Sequence, residues 1–220
     1  MIEGKIRSSR PVALVGGGSV AAADIAAAAR ESAILVAADG GADAALALGH
    51  RPDWAIGDLD SLSAETCDAL APGRVVRDTD PNSTDFDKCV ARIDAPRILA
   101  VGFLGKRVDH QLAAFNTLVR EPAGWIVLIG AHDICVHLPL RLTLDLAPGT
   151  RVSLFPLRRV TGRSRGLEWN IDGLHFAPGG QIGTSNRATG AVDLSMDGAG
   201  MVLILPRAEL SAVLAALAVA

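Results

Sequence analysis

The sequence has little of what marks several protein classes. No run approaches the roughly 20 consecutive apolar residues that a membrane-spanning helix needs, although half of the 220 residues are hydrophobic. Much of this hydrophobic content is alanine. The first ten residues are polar and basic, and they lack the apolar core of a secretory signal peptide. We therefore expect no membrane anchor, and a chain that forms one large domain or two small ones.

Concentrated positive charge is also absent. The formal net charge is −3, and no lysine-rich stripe is present that could displace the counterions of a nucleic acid. We therefore expect no nucleic-acid partner. Four arginines form one short cluster, which we interpret as a solvated loop: Arg158, Arg159, Arg163 and Arg165.

Cysteine is scarce as well. The three cysteines are widely spaced, and none belongs to a CxxC pair: Cys67, Cys89 and Cys135. An odd number at such spacing argues against a disulfide framework or a zinc site. It favours reduced thiols, and hence a cytoplasmic protein.

Through about residue 135, short apolar runs alternate with segments of helical periodicity. The predicted strands are 12–15, 33–38, 54–56, 74–77, 97–101 and 125–129. The predicted helices are 19–30 with Ser19 as cap, 42–48, 64–70, one that begins after Ser83 or Thr84, and 108–119. This alternation predicts an α/β domain, with a doubly wound and mostly parallel sheet covered on both faces.

After about residue 135 the pattern changes, because glycine and proline appear every few residues. Short β-rich runs remain at 141–146, 151–154, 166–170, 191–196 and 201–205, and an alanine- and leucine-rich helix is predicted over 207–220. These runs predict an all-β part, a small antiparallel β-sandwich or barrel. The predicted domains are thus residues 1–135 and 136–220.

Aspartates follow several of the predicted strands. Asp58 and Asp60 stand two apart after the third strand, and a second cluster comprises Asp78, Asp80, Asp85 and Asp87. In doubly wound sheets, ligands lie beyond the carboxyl ends of the strands, and magnesium is held by one or two carboxylates together with substrate phosphates. We interpret Asp58, Asp60 and Asp85 as a magnesium site that handles a nucleoside triphosphate. For Asp87 we favour a role in the first turn of a helix, while Lys88 either contacts a phosphate or is solvated.

The first strand is followed by Gly16-x-Gly18-x-x-Ala21, and Asp39 ends the next strand. This is the pattern of a dinucleotide-binding fingerprint, so an NAD-dependent dehydrogenase is one alternative. The glycines would equally admit any phosphate to a helix N-terminus, or only permit a tight turn.

Three further sets of residues are candidates for contacts with a phosphate or with a second substrate. Arg107 can neutralise a transferring phosphoryl group, and Asp109 can orient this arginine or accept a proton. Trp169 can stack on a flat cationic heterocycle or belong to the core of the β-rich part. Ser185 and Asn186 can hydrogen-bond the nitrogens of such a ring.

These motifs, in this order, resemble those of the thiamine pyrophosphokinase family. They are Ala38-Asp39-Gly40-Gly41-Ala42, Pro52-Asp53 with Gly57-Asp58-Leu59-Asp60-Ser61, Ser83-Thr84-Asp85-Phe86-Asp87-Lys88, Arg107-Val108-Asp109-His110 with Asn116, Gly166-Leu167-Glu168-Trp169, and Ser185-Asn186. The resemblance implies a nucleotide-binding α/β domain followed by a β-sandwich, in a homodimer with active sites at the subunit interface. It also implies transfer of the pyrophosphoryl group of ATP to thiamine, with AMP as the second product.

The resemblance further implies roles for individual residues. Metal binding falls to Asp58, Asp60 and Asp85, which with Arg107 and Asp109 form the catalytic group. Nucleotide contacts fall to Gly17, Asp39, Gly40, Thr84, Lys88 and Arg107, and the thiamine wall to Trp169, Ser185 and Asn186. The chain departs from many relatives at Pro81, where they carry glutamine. A pterin-type pyrophosphokinase and a non-catalytic Mg-ATP sensor remain alternatives.

Overall fold

The structure is a computed structural model that describes residues 5–60 and 62–219. Ser61 of the acidic motif and Ala220 of the predicted last helix lie outside the described residues. The chain divides into two compact units, residues 1–115 with 128–131 and residues 116–127 with 132–220. Compared with the predicted domains, the second unit also includes residues 116–127 and 132–135. No helix of the described residues has the length and hydropathy that a membrane span requires.

The first unit alternates short strands with helices, as the sequence predicts. Its strands are β1 Ile6–Arg7, β2 Val12–Val15, β3 Ile34–Ala38, β4 Trp54–Gly57, β5 Val75–Arg77, β6 Ile93–Asp94 and β7 Ile98–Val101. Its helices are α1 Ala22–Glu31, α2 Gly41–Ala47, α3 Ala64–Ala69 and α4 Asp85–Arg92. Helix α5, Val108–Arg120, and strand β8, Ile126–Ile129, contribute residues to both units.

A parallel sheet forms the centre of the first unit, with strand order β7-β2-β3-β4-β5. Every residue of β2 and β7 is buried, as expected where both faces of a parallel sheet are covered. From β2 the chain adds β3, β4 and β5 on one side and then returns to the other side with β7. The strand order therefore reverses between β2 and β7, and ligands of such sheets bind beyond the carboxyl ends of the strands at this reversal.

Two helix starts show how local hydrogen bonds set the bounds. Helix α4 begins after Thr84, which is one of the two predicted caps, and its apolar residues Phe86, Cys89 and Val90 are buried. The prediction that Ser19 caps α1 is wrong. The N-cap is Ala21, whose backbone N–H donates to Asp24 Oδ2 at 2.7 Å, so an acid in the first turn does the capping.

The second unit is mainly antiparallel. Its strands are β9 Asp133–His137, β10 Arg141–Leu144, β11 Arg151–Pro156, β12 Val160–Leu167, β13 His175–Phe176, β14 Gly183–Met196 and β15 Met201–Pro206. A 3₁₀ turn over Arg207–Glu209 leads into helix α6, Leu210–Leu217, so the last helix is shorter than predicted. The strand predicted at 166–170 is wrong beyond Leu167. At Gly166 the backbone adopts a φ of +75° beside a register shift against β14, and the last paired residue of the strand is Leu167.

Strand β14 connects most of the second unit. Its first residues, Gly183 to Arg187, pair with β11, while its later residues pair with β10 on one side and β12 on the other. Alternate residues of its later part, from Val192 to Met196, are buried, and the residues between them are exposed. This arrangement brings exposed side chains from three adjacent strands to one face.

Candidate functional site

Three aspartates lie together where β3 and β4 end. Each of Asp39, Asp58 and Asp60 offers a carboxylate oxygen, and these oxygens lie within 4.8 Å of one another. Asp39 follows β3 with its backbone N–H bonded to Ile56 O of β4 at 2.8 Å. The close approach of Asp39 to the end of β4 depends on the missing side chain of Gly57, because a Cβ there would lie 2.7 Å from Asp39 Cβ. The sequence predicted Asp58 and Asp60 at this edge, but it did not predict Asp39 beside them.

The donor set of these aspartates fits a hard divalent cation. Carboxylate oxygens are the ligands that Mg²⁺ and Ca²⁺ take in proteins. Carboxylates that share a small volume repel one another unless a cation or a proton neutralises them. The three aspartates therefore form the candidate metal centre of the described residues, and we name them the aspartate triad.

Asp85 does not belong to the aspartate triad in the described part of the chain. Its Oδ1 instead accepts a hydrogen bond from Lys88 Nζ at 3.0 Å. The Lys88 side chain is 5% exposed, so the interpretation of Lys88 as merely solvated is wrong. Burial on its own would lower the pKa of Lys88, but the hydrogen bond to Asp85 and the charges of Asp85, Asp58 and Asp78 outweigh it and raise the pKa. A buried cation thus stands within the acidic surroundings of Asp58 and Asp85.

The neighbouring polar residues stabilise the start of α4. The Thr84 backbone N–H donates to Asp87 Oδ2 at 3.1 Å, and the Asp87 backbone N–H donates to Thr84 Oγ1 at 3.2 Å. This reciprocal arrangement is a capping box, and it agrees with the first-turn role favoured for Asp87. Asp78 is paired with Arg92 at 2.5 Å. Asp85 is thus the member of this second acidic cluster that forms an ion pair with the buried Lys88.

The glycines after β2 have a structural reason of their own. The Gly18 N–H donates to Gly102 O at 2.8 Å, and a Cβ at Gly18 would lie 2.2 Å from the same oxygen. A Cβ at Gly16 would lie 2.7 Å from the ring of Phe103. These glycines therefore allow the loops after β2 and β7 to approach closely at the reversal of strand order, which weakens the interpretation as a dinucleotide fingerprint.

Gly17 differs from its two neighbours. A Cβ there would meet its nearest atoms, in Gly40 and Gly41, only at 3.7 Å. Gly17 and Gly40, both predicted to contact the nucleotide, are thus neighbours in space. Lys106 Nζ donates to Gly17 O at 2.8 Å, which fixes the peptide at this position. No role was predicted for Lys106.

Arg107 and Asp109 form a two-point ion pair at the start of α5. Arg107 Nε donates to Asp109 Oδ1 at 3.1 Å, and Nη2 donates to Oδ2 at 2.5 Å. The hydrogen bonds from Arg107 lower the pKa of Asp109 to about 2. A carboxylate with this pKa is a poor proton acceptor at neutral pH. Of the two predicted roles, the geometry therefore favours the orientation of Arg107.

In the second unit, Trp169 is 55% exposed, so the interpretation as a core residue is wrong. The buried Asn186 side chain holds its backbone at two points. The Trp169 N–H donates to Asn186 Oδ1 at 3.2 Å, and Asn186 Nδ2 donates to Trp169 O at 2.6 Å. Asn186 thereby fixes the position of an exposed aromatic ring, and its amide is largely used in doing so.

Ser185 is exposed and has a φ of +65°, at the register shift between β11 and β14. Its backbone N–H donates to the hydroxyl of the buried Ser153 at 3.0 Å. Arg151, which is ion-paired with Asp133, donates to the same hydroxyl at 3.5 Å. No role was predicted for Ser153, and its one signal in the sequence is a serine between the apolar residues Val152 and Leu154 of β11.

Two family models match the chain, each in a separate segment. The model described as "Thiamin pyrophosphokinase, catalytic domain" matches residues 25–127. The model described as "Thiamin pyrophosphokinase, vitamin B1 binding domain" matches residues 137–199. Together the two matches cover most of the chain. The first segment includes the aspartate triad, and the second includes Trp169.

Curated plant proteins are similar to part of the chain. Thiamine pyrophosphokinase 3 of Oryza sativa subsp. japonica is 31% identical over 156 residues, which cover 62% of this chain and 58% of the rice protein. Thiamine pyrophosphokinase 1 of Arabidopsis thaliana is 29% identical over 156 residues, with the same shares of 62% and 58%. The similarity thus spans less than two thirds of these relatives.

Solved structures share the fold over nearly the whole chain. The thiamin pyrophosphokinase from Candida albicans has a TM-score of 0.76 at 17% identity and covers 92% of both chains. The thiamine pyrophosphokinase from Bacillus subtilis has a TM-score of 0.73 at 20% identity, covering 90% of this chain and 98% of its own. With both family models matched in sequence, the chain belongs to the thiamin pyrophosphokinase family.

Proposed function

We propose that this protein transfers the pyrophosphoryl group of ATP to the hydroxyl group of thiamine, giving thiamine diphosphate and AMP. The observation that carries the proposal is the aspartate triad, within the segment that matches the catalytic-domain model. The match of the second segment to a vitamin B1 binding domain supports thiamine, rather than a pterin, as acceptor.

The reaction makes one bond and breaks another at the β-phosphorus of ATP. The thiamine oxygen bonds to this phosphorus while the bond from phosphorus to the oxygen that remains on AMP breaks, and the hydroxyl proton is released. The hydroxyl group is a poor nucleophile and the triphosphate is strongly charged. Positioning and charge neutralisation therefore have to supply most of the rate enhancement.

The aspartate triad would hold Mg²⁺, with Asp58 and Asp60 as expected from the sequence and Asp39 as the third ligand. When bound, the cation neutralises charge on the phosphate oxygens. Asp85 remains a proposed ligand as well, because a carboxylate that accepts one hydrogen bond from Lys88 at Oδ1 keeps further lone pairs for a metal. Lys88, held beside it, is proposed to contact a phosphate.

Arg107, oriented by Asp109, is proposed to contact the phosphates. Gly17 and Gly40 offer backbone without side chains at the same end of the sheet. The Thr84 hydroxyl caps α4, so we infer that a phosphate contact there involves the helix start rather than a free hydroxyl. Pro81, exposed in the turn before α4, supplies no polar side chain to this region.

In the second unit, we propose that the exposed Trp169 ring stacks on thiamine, whose thiazolium ring is cationic. Ser185 is exposed and directly precedes Asn186, which holds Trp169 in place. We further infer a β-sandwich, because β14 pairs with β11 by one part and with β10 and β12 by the other. We also propose a homodimer whose active sites combine residues of two subunits.

Substitution of Asp60 tests the proposed metal site. We expect Asp60→Ala to lower the turnover of ATP and thiamine to AMP and thiamine diphosphate by at least about 10²-fold, because charge neutralisation at the phosphates is lost. The measurement is the rate of AMP formation over a range of Mg²⁺ concentrations. Circular dichroism would show that the variant is folded.

Asp68→Ala is the matched control, since Asp68 is an exposed aspartate of α3 outside the aspartate triad. This variant should retain wild-type turnover. Normal turnover in a folded Asp60→Ala protein would contradict the metal assignment, and so would an equal loss in both variants.

A further inference from the structure

The exposed face of β10, β14 and β12 carries two rows of polar side chains. In the first row, Ser195 of β14 pairs with Arg141 of β10 on one side and with Arg163 of β12 on the other. In the second row, Asp193 pairs with Thr143 and Arg165. Both rows face solvent, whereas Leu142 and Leu194, between the rows, are buried.

These side chains line an open cavity of about 430 Å³. This volume lies within the range of roughly 300–1,000 Å³ that small-molecule sites occupy. Two of its arginines, Arg163 and Arg165, were interpreted from the sequence as part of a solvated loop. That interpretation is wrong for both of them, because they lie within β12 and pair with Ser195 and Asp193 of β14.

The positive charge of this face is not neutralised by ion pairs. Within residues 5–60 and 62–219, none of Arg141, Arg163 and Arg165 has a carboxylate oxygen within 4.0 Å. The two acids of the cavity have other partners. Asp193 Oδ1 accepts from the Thr143 hydroxyl at 2.8 Å, and Asp172 Oδ2 accepts from the Ser164 backbone N–H at 3.2 Å.

The spacing of the first row suits one anionic group. Adjacent strands are about 4.8 Å apart, so the Cα atoms of Arg141 and Arg163 lie roughly 10 Å apart across β14. Two arginine side chains of this separation can converge above the hydroxyl of Ser195. Guanidinium groups bind phosphate at two points, and the hydroxyl adds a further donor. Arg165 lies two residues along the same strand, about 7 Å from Arg163.

We propose that this face, which we name the arginine groove, is a second anion site that binds a phosphate group of a small molecule. Asp193 in the second row limits the length of the anion, because a long polyanion would meet its negative charge. The arginine groove consists only of residues of the second unit and uses none of the residues assigned to the transfer reaction. The proposal therefore does not depend on the proposed function.

The test is calorimetric titration of the full-length protein with inorganic pyrophosphate in the presence of EDTA. Arg141→Gln and Arg163→Gln should each weaken binding by about tenfold or more, the effect expected for one charge-assisted hydrogen bond. Arg159→Gln removes the same charge from an exposed residue outside the cavity, and its affinity should stay within about twofold of wild type.

Arg107→Gln separates this site from the proposed phosphate contact in the first unit and should leave the binding to the arginine groove intact. Three results would overturn the proposal: no saturable binding to the wild-type protein, wild-type affinity in folded Arg141→Gln and Arg163→Gln proteins, or an equal loss in Arg159→Gln. Loss of all binding in Arg107→Gln would also overturn it.

Discussion

Asn186 and Asp109 each fix a neighbour whose functional group stays exposed. The amide of Asn186 is bonded to both backbone groups of Trp169, and Asp109 accepts two hydrogen bonds from Arg107. In each pair the exposed member, an indole ring or a guanidinium group, is the one that suits a ligand. Fixing such a group before binding reduces the conformational entropy that binding would otherwise cost.

Trp169→Ala should raise the Kd for thiamine by about tenfold, within the range of a desolvated cation–π contact. The Kd for Mg-ATP should change by less than about twofold, because no part of the nucleotide site is assigned to Trp169. Calorimetric titration with each ligand separates the two effects. Trp169→Phe should retain much of the affinity, because the ring face remains.

Phe155→Ala is a suitable control, since Phe155 is another exposed aromatic residue of the second unit, and it should bind thiamine as wild type does. Parallel losses of thiamine and Mg-ATP affinity in Trp169→Ala would instead indicate a structural tryptophan.

The sequence predicted the position of residues that directly follow their own strand. Asp58 and Asp60 follow β4 directly, and the structure brings them together. The sequence did not predict that Asp39 joins them. Its position depends on Gly57, whose missing side chain allows Asp39 to lie against the end of β4. The bond between Asp85 and Lys88 was also not predicted, since burial of a lysine is a property of the packed protein and not of a local pattern.

Loops and strand ends in the first unit meet through backbone atoms. The loop after β2 contacts Gly102 directly, and α2 begins so close to β2 that a Cβ at Gly41 would lie 2.3 Å from Val15 O. Such contacts leave no room for side chains. They explain why glycine is concentrated here without invoking a dinucleotide.

Gly18→Ala should lower the free energy of unfolding by about 1–3 kcal/mol or more, since the new methyl group would overlap Gly102 O. Gly17→Ala should change this free energy by less than about 0.5 kcal/mol, because the methyl group has room. Denaturant titration of the two variants tests this difference between adjacent residues.

The same pair also tests the nucleotide contact. Gly17→Ala should raise the KM for ATP while its stability stays normal, because its methyl group would stand at the proposed phosphate site. Equal stability of the two variants would contradict the packing argument, and an unchanged KM for ATP in Gly17→Ala would contradict the contact at Gly17.

Most elements of the first unit were predicted because each strand is a separate apolar run and the segments between the runs have helical periodicity. The strands that were missed lack such a local signal. Strands β1 and β6 contain two residues each, and β9 pairs with β15, which lies far along the sequence. Much of β12 was not predicted, because its exposed positions are arginines and its sequence therefore lacks the apolar run typical of a strand.

The order of the two units followed from composition, since alanine-rich helical segments give way to glycine- and proline-punctuated strands. The bounds of the two units could not be predicted from composition, because α5 and β8 each contribute residues to both units. Composition alone would also not have separated a pyrophosphokinase from a dehydrogenase. The order of the motifs made that distinction, and the two family models agree with it.

The most direct test of the proposed activity is incubation with Mg-ATP, with and without thiamine, followed by chromatography of nucleotides and thiamine species. We predict AMP and thiamine diphosphate in equal amounts, formed only when thiamine and Mg²⁺ are both present. Formation of ADP would contradict transfer of the pyrophosphoryl group. AMP formed without thiamine would indicate hydrolysis, and bound Mg-ATP without any turnover would indicate a sensor or a different acceptor.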